Sequence, residues 1–460
     1  MRPTHPRYPL LERFDRYSQY ITPAINRGIA EHRRGVFSLS FTDREGNAVT
    51  PDTVIVRQMS HEFGFGCSLF LLDQFRTPEN EPDTEKNRAY REAFAKLFSV
   101  GVAPIYWDAL EPVRGKPRFS PDSEYIWRRP PLDTVRDYCR ENNIRMKAHC
   151  LAYNSFNPDW LPESPRDVDI ALTERAEALS DRYRYDFTDM DVINEMSWVY
   201  KNCYKHSGNG KRDLPTVDEP FHERFCFDLA KRCFPLTRLF WNEGCFETFG
   251  AGNYIGTRSR YYLMLEHQMS LGTKIEGIGM QFHAFTGKDS EVQSAGPLYD
   301  PLRLIDIFDT YSDFGLPIHL SEVSIPSWSN EPEDEEIQAE LVERLVRLWF
   351  SRKNVEAAIW WNLVDGTAYG DENVFHAGLL RNDMTTKPAY EVLDRLINHE
   401  WHTEYETGNA DRVIFEGFYG DYEITFTHDG KKYTRKAHLF RDTTGYDNRL
   451  ADYRTTRVEI

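Results

Sequence analysis

The sequence predicts an α/β fold: a (β/α)8 barrel with a small accessory β-domain. Three observations point there. Eight short apolar runs recur through the middle of the chain, helix-period stretches alternate with them, and polar residues collect at the C-terminal ends of the runs. Strands buried on both faces read as continuous apolar segments, which suits a parallel barrel wrapped in helices. An open doubly wound sheet is the alternative. It seldom needs eight such units, however, and no GxGxxG follows the first run.

Taken in order, residues 1–35 read as a helical lead-in. Around residues 36–60 lie two strand-like segments, GVFSLSFTD and TVIVRQMSHEF, on either side of the turn signal REGN. The barrel is expected over 61–399. Its strands are FGFGCSLF (63–70), VAPIYW (102–107), IRMKAHCL (144–151), MDVINE (190–195), TRLFWNE (237–243), IEGIGMQFH (275–283), PIHLSEV (317–323) and AAIWWNL (357–363). Between them NRAYREAFAKLF, PLDTVRDYCRENN, ALTERAEALSDRY, ERFCFDLAKRC and AELVERLVRLWF carry apolar residues at helical spacing. Residues 400–460 alternate with period two, with a hairpin turn at Asp429–Gly430 and a last strand in RTTRVEI. They predict a small β-domain that the N-terminal strands join.

Composition narrows the function. The 460 residues are 40% hydrophobic and 28% charged, enough for a large core. No apolar run nears the roughly 20 residues of a membrane span. The N-terminal MRPTHPRYPLLERFDRY has basic residues but no apolar stretch of the signal-peptide kind, so a cytoplasmic location is expected. Seven cysteines (Cys67, Cys139, Cys150, Cys203, Cys226, Cys233, Cys245) form no CxxC pair and read as small buried hydrophobes. A net charge of −17 disfavours nucleic acid and anionic membranes as partners and favours a neutral or weakly charged ligand. The 10 Trp, 25 Tyr and 29 Phe offer faces for stacking on sugar rings, though aromatics serve equally well as core.

The strand ends carry the chemistry. In a (β/α)8 barrel they converge on one face, where reacting side chains project. Here His149 ends the third strand, Asn194 and Glu195 the fourth, and Asn242 and Glu243 the fifth. Gln281 and His283 end the sixth, Glu322 the seventh, and Trp361 with Asp365 the eighth. One polar strand end is easily solvated; six in succession at the same end are not. Glu195 and Glu322 would face each other across the barrel mouth, as retaining cleavage of a glycosidic bond requires: one carboxyl protonates the leaving oxygen and the other attacks the anomeric carbon. Mutual repulsion lets the pair divide these roles. His283 is placed to donate to Glu322, and Asn194 to a sugar hydroxyl. The competing reading pairs both glutamates with arginines in a structural network. A metal site is not expected, since HExxH and local ligand pairs are missing, and no cofactor is called for.

These residues also carry a resemblance to the family 10 glycoside hydrolases, best known as endo-β-1,4-xylanases, over roughly residues 28–398. DVINE resembles the strand-four motif whose glutamate is the acid/base, GIGMQFH the strand-six segment, and PIHLSEV the strand-seven segment ending in the nucleophile. WNLVD and TTKPAYEVL resemble the eighth-strand and last-helix elements, and WDALEPVRGKPRF the element after strand two. The resemblance implies a retaining β-glycosidase acting on an oligosaccharide, with Glu195 as acid/base and Glu322 as nucleophile. His149, Asn194, Gln281, His283 and Trp361 would hold the reacting sugar. Asn242, Glu243 and Asp365 would support the site.

Several positions depart from the family pattern. Tyr106 stands where the family has a lysine and Ala103 where it has an asparagine. Tyr153, Asn154 and Phe156 replace Trp, His and Gln, and Tyr369 replaces Trp. Tyr106, Tyr153 and Tyr369 are therefore expected to line an altered sugar cleft. Arg114, Lys116, Arg118, Arg128 and Arg129, in the loop after strand two, are candidates to receive an acidic substituent; the alternative is a solvated loop face. A different sugar or linkage, or a barrel that binds glycan without cutting it, remains the rival reading. The C-terminal β-domain stabilises the barrel or binds glycan itself.

Overall fold

The computed structural model describes residues 5–197, 213–440 and 455–459. Helix α1 (Pro9–Arg33) buries Leu10, Leu11, Phe14, Ile21, Ile25 and Ile29, which recur at helical spacing. It lies along the helix Pro332–Ser351. The buried Arg33 fixes its end, donating from Nε to the Phe350 carbonyl and from Nη2 to that of Arg352, both at 2.6 Å.

The chain then turns into β1 (Arg34–Thr42) and β2 (Thr53–His61) and enters the barrel. Its strands are β3 (Gly64–Ser68), β4 (Val100–Pro104), β5 (Arg145–Tyr153), β6 (Phe187–Asn194), β7 (Arg238–Glu243), β8 (Gly277–His283), β9 (Ile318–Ser324) and β10 (Val355–Trp360). They are parallel and close in the order β10-β3-β4-β5-β6-β7-β8-β9. Apart from isolated residues at their ends these strands are buried, as a wall between a filled interior and a helical coat must be. The interior includes polar groups: Lys147 Nζ lies 2.8 Å from Asp191 Oδ1, and His319, whose pKa burial pushes down, stacks on Phe240 at 4.1 Å.

The remaining strands are β11 (Glu404–Thr407), β12 (Arg412–Phe418), β13 (Gly420–His428), β14 (Lys431–Leu439) and β15 (Thr455–Glu459). They join the N-terminal strands in two sheets, β12-β1-β15 and β11-β2-β13-β14. The period-two alternation expected from sequence is present in β2 and β13. Its inward residues, including Phe37, Leu39, Phe41, Val54, Val56, Phe415, Ile424 and Phe426, form a second core between the sheets. The hairpin turn falls at Asp429–Gly430, both with positive φ, between the paired His428 and Lys431.

Some segments run shorter than their apolar runs. VAPIYW is not one strand: β4 ends at Pro104, and a short helix begins at Trp107, so Tyr106 sits in the turn between them. Trp361 and Glu195 lie one residue beyond β10 and β6. Cys203, Arg454 and Ile460 fall outside the described residues; the other six cysteines are all buried. No helix among the described residues is long and apolar enough to cross a membrane.

Candidate active site

The site begins where β6 stops. Extended backbone ends at Asn194, and Glu195 takes a left-handed conformation (φ 54°) that swings its carboxyl over the barrel mouth. Its amide N–H is held by the Asn242 carbonyl at 2.9 Å. The turn that follows is fixed from β7. Glu243 accepts from the Ser197 amide (2.9 Å), the Ser197 hydroxyl (2.6 Å) and the Trp241 indole (3.0 Å). Burial pushes the Glu243 carboxyl up to about 7.

Glu322 on β9 is buried and surrounded by donors. Asn242 Nδ2 (2.7 Å) and Gln281 Nε2 (3.1 Å) reach Oε1, and His283 Nε2 lies 3.0 Å from Oε2. Asn242 also donates to Asn194 Oδ1 at 2.8 Å and accepts from the Ser321 hydroxyl at 2.5 Å, so one buried amide sets both neighbours. Gly279 permits this reach: a Cβ there would lie 2.4 Å from Asn242 Oδ1.

The same Gln281 amide donates to Glu195 Oε1 at 2.8 Å. The 2.8 and 3.1 Å legs of this bridge cap the separation of the two carboxylate oxygens at about 6 Å. Burial, then the charge of Glu322, raises the pKa of Glu195; hydrogen bonds from Tyr153 and Gln281 pull the other way without cancelling the rise. For His283 burial opposes the charged ring, but the hydrogen bond and charge of Glu322 outweigh it, and the pKa is raised.

The remaining predicted residues are distributed as follows. His149 is buried on β5, its Nδ1 2.9 Å from Asp191 Oδ2 and its Nε2 3.9 Å from Glu322 Oε1. Asp191 is itself paired with Lys147, so it orients the ring as a carboxylate acceptor. Trp361 meets His149 and His283 edge-on. Tyr153 does more than line the cleft: its hydroxyl donates to Glu195 Oε2 at 2.5 Å. Tyr106 and Tyr369 reach the cleft through edges shared with Phe156. Asp365 lies away from the cleft. It accepts from the Gly378 amide (2.8 Å) and pairs with Lys387 (3.0 Å), tying the eighth-strand segment to the last helix.

Two hollows meet at Glu195. The first, about 240 Å3, contains both glutamates and extends to Phe70, Tyr106, Arg128, Arg129, Phe156, Tyr369 and Glu372. The second, about 270 Å3, touches Glu195 but not Glu322 and is walled by Glu243–Glu247 and Phe285. The arginine loop divides between these environments. Arg114 pairs with Glu174 on the surface and Lys116 is exposed. Arg118 donates to the carbonyls of Ala109, Glu124 and Arg129. Only Arg128 and Arg129 reach the cleft. Phe70, Phe285, Glu372 and Asp191 were not anticipated; of these only Asp191, a carboxylate inside the apolar run of β6, left a signal in the sequence.

The residues bearing this arrangement fall within a segment, 75–395, that matches the family model described as Glycosyl hydrolase family 10. The chain belongs to glycosyl hydrolase family 10. This family 10 chain is 24% identical over 431 residues to the anti-sigma-I factor RsgI6 of Acetivibrio thermocellus, covering 92% of this chain and 49% of that protein. It is 24% identical over 420 residues to the endo-1,4-beta-xylanase 5-like protein of Arabidopsis thaliana, covering 87% and 63%. It thus spans about half to two thirds of the length of these two relatives. Among solved structures, the xylanase 10B of Thermotoga maritima aligns with a TM-score of 0.55 at 18% identity, over 74% of this chain and 96% of that one. The intracellular xylanase of Thermoanaerobacterium saccharolyticum aligns with a TM-score of 0.53 at 19% identity, over 72% and 95%. These structures share the barrel fold.

Proposed function

We propose that this protein is a retaining β-glycoside hydrolase that cleaves β-linked oligosaccharides by double displacement. The observation that carries the reading is the Gln281 bridge. A single amide nitrogen that donates to both carboxylates holds them close to the 5–5.5 Å typical of retention, and leaves less room than the roughly 6.5–9.5 Å that inversion needs for an intervening water. Glu195, whose pKa is raised, supplies the proton. Glu322, ringed by N–H donors, supplies the electron pair.

The hollows give the site a direction. The sugar attacked at its anomeric carbon must contact both glutamates, so it occupies the first hollow. The leaving group need meet only the acid, so it occupies the second. Glu322 attacks, the glycosidic bond breaks, and the proton of Glu195 goes to the departing oxygen. Glu195, now a carboxylate, then takes a proton from the water that releases the sugar from Glu322. Asn194, held through its Oδ1 by Asn242, is left with its amide N–H groups for a hydroxyl of the reacting sugar.

The test is hydrolysis of a panel of aryl β-glycosides and plant-derived oligosaccharides by wild type and Glu322→Ala. Wild type is expected to cleave at least one member, and the mutant to lose at least about a thousandfold in rate. Equal rates in the two proteins would sink the assignment. A different sugar or linkage class remains open to the same panel, because Tyr106, Tyr153 and Phe156 reshape the first hollow.

A further inference from the structure

The cleft holds two guanidinium groups that form no ion pair among the described residues. Arg128 and Arg129 are adjacent in sequence, 3% and 9% exposed, and both line the hollow assigned to the attacked sugar. Arg128 Nη1 donates to Asn362 Oδ1 and to the Thr367 carbonyl, while its Nε is buried with no hydrogen-bond partner among the described residues. The Arg129 guanidinium makes one hydrogen bond among the described residues, from Nη1 to the Arg128 carbonyl at 3.0 Å. Among the described residues no carboxylate lies within ion-pair distance of either. Aromatic faces take that place: Arg129 sits 4.2 Å over Tyr106 and 5.5 Å over both Phe70 and Phe156, and Arg128 sits 5.5 Å over Phe70.

Such a pair is costly. Each cation has left water, and the two repel each other. Cation–π contacts worth about 1–2 kcal/mol offset only part of several kcal/mol of desolvation per ion. Both influences hold Arg128 down to about 10. The other charges facing the hollow are Glu195, Glu322, Glu372 and His283. Glu195 and Glu322 repel an anion beside the reacting carbon; Glu372 acts on Arg128 and Asp108 on Arg129 from beyond ion-pair distance, so the guanidiniums themselves are the place where an anion is stabilised. A net charge of −17 favours a neutral ligand for the molecule as a whole, but the local field at this end of the cleft is opposite in sign.

We propose that Arg128 and Arg129 form a recognition site for an anionic substituent, a carboxylate or a sulfate ester, on the sugar held next to Glu322. This rests on the direction of the cleft given above and narrows the substrate class to acidic β-linked oligosaccharides. Guanidinium forks meet planar carboxylates in pairs of hydrogen bonds, and the aromatic cage fixes the forks before the ligand arrives.

Binding can be tested apart from turnover. Titration calorimetry on full-length Glu322→Gln protein would compare glucuronic-acid-bearing β-oligosaccharides with the same compounds after reduction of the carboxyl to an alcohol. Sulfated β-galactan oligosaccharides and their desulfated forms make a second arm. The expectation is that one acidic series binds about 10- to 100-fold more tightly than its neutral counterpart. The arm that shows the preference identifies the anion. Adding Arg129→Met should remove most of it. Because the ligand-side comparison uses intact arginines, it stands even if the double variant folds poorly. Equal binding of acidic and neutral partners, no binding by either acidic series, or a preference that survives Arg129→Met would overturn the proposal. Acidic ligands that bind but stay uncleaved by wild type would overturn the hydrolase reading alone.

Discussion

At the scale of single residues, Glu195 is governed by opposed influences: burial and Glu322 raise its pKa, and the Tyr153 and Gln281 hydrogen bonds lower it. Tyr153→Phe removes one of the lowering influences. The basic limb of the kcat/KM profile, where the acid loses its proton, is expected to move up. A pH–rate series on the variant checks this, and a downward move would count against Glu195 as the acid. At this scale the sequence was informative where polar residues ended apolar runs: Glu195, Glu322, Gln281 and His283 all stood out and meet. It was silent on Phe285 and Glu372, which come from loops where no periodicity constrains direction. It placed Tyr153 in the cleft without revealing its hydroxyl on Glu195, because that contact depends on where β5 ends relative to β6. Asp365 looked like a strand-end residue facing the cleft and instead ties the eighth-strand segment to the last helix, a distinction that its partners Gly378 and Lys387 make.

Among the elements, β7 does the positioning. Its last two residues touch the turn after β6 and the nucleophile on β9 while themselves being fully buried. Asn242→Ala would leave Asn194 and Glu322 each short of a donor, and kcat/KM is expected to fall by about tenfold to a hundredfold with little change in far-UV circular dichroism. Glu243 has a consequence for stability. Its folded pKa of about 7 lies above the ordinary carboxylate value of 4.5. The folded state therefore binds the proton more tightly than the unfolded chain, and stability falls as pH rises from about 4.5 through 7. Glu243→Gln keeps one oxygen for the Ser197 amide and the Trp241 indole, and its amide can donate to the Ser197 hydroxyl, without a charge to bury. Relative to wild type it should gain of order 3 kcal/mol between pH 5 and 8, read from urea unfolding at both values. A pH-independent difference would show that the carboxyl is not neutral in the fold. The strand register behind these contacts was legible as eight apolar runs; the exact ends were not, since turns such as Tyr106 between β4 and its short helix are as apolar as the strands.

For the whole molecule, two cores hold two layers of architecture. The barrel core is continuous with α1, and the second core joins β1 and β2 to the strands that follow residue 400. That pairing was readable in outline, from matching alternation at both ends of the chain. Which strands share a sheet was not, because period two fixes faces and not neighbours. Phe41 and Phe426 meet at 5.0 Å across the second core, 1% and 0% exposed. Phe426→Ala should cost about 3–5 kcal/mol, measured by urea unfolding, and a loss below about 1 kcal/mol would mean the sheets do not share a core.

Of all these expectations, the division of labour between Glu195 and Glu322 is central. The direct measurement is covalent trapping: wild type is incubated with activated 2-deoxy-2-fluoro β-glycosides of the sugars it cleaves, digested, and mapped by mass spectrometry. The account predicts one fluorosugar per chain, attached to Glu322. A label on Glu195 or on any other residue would contradict it.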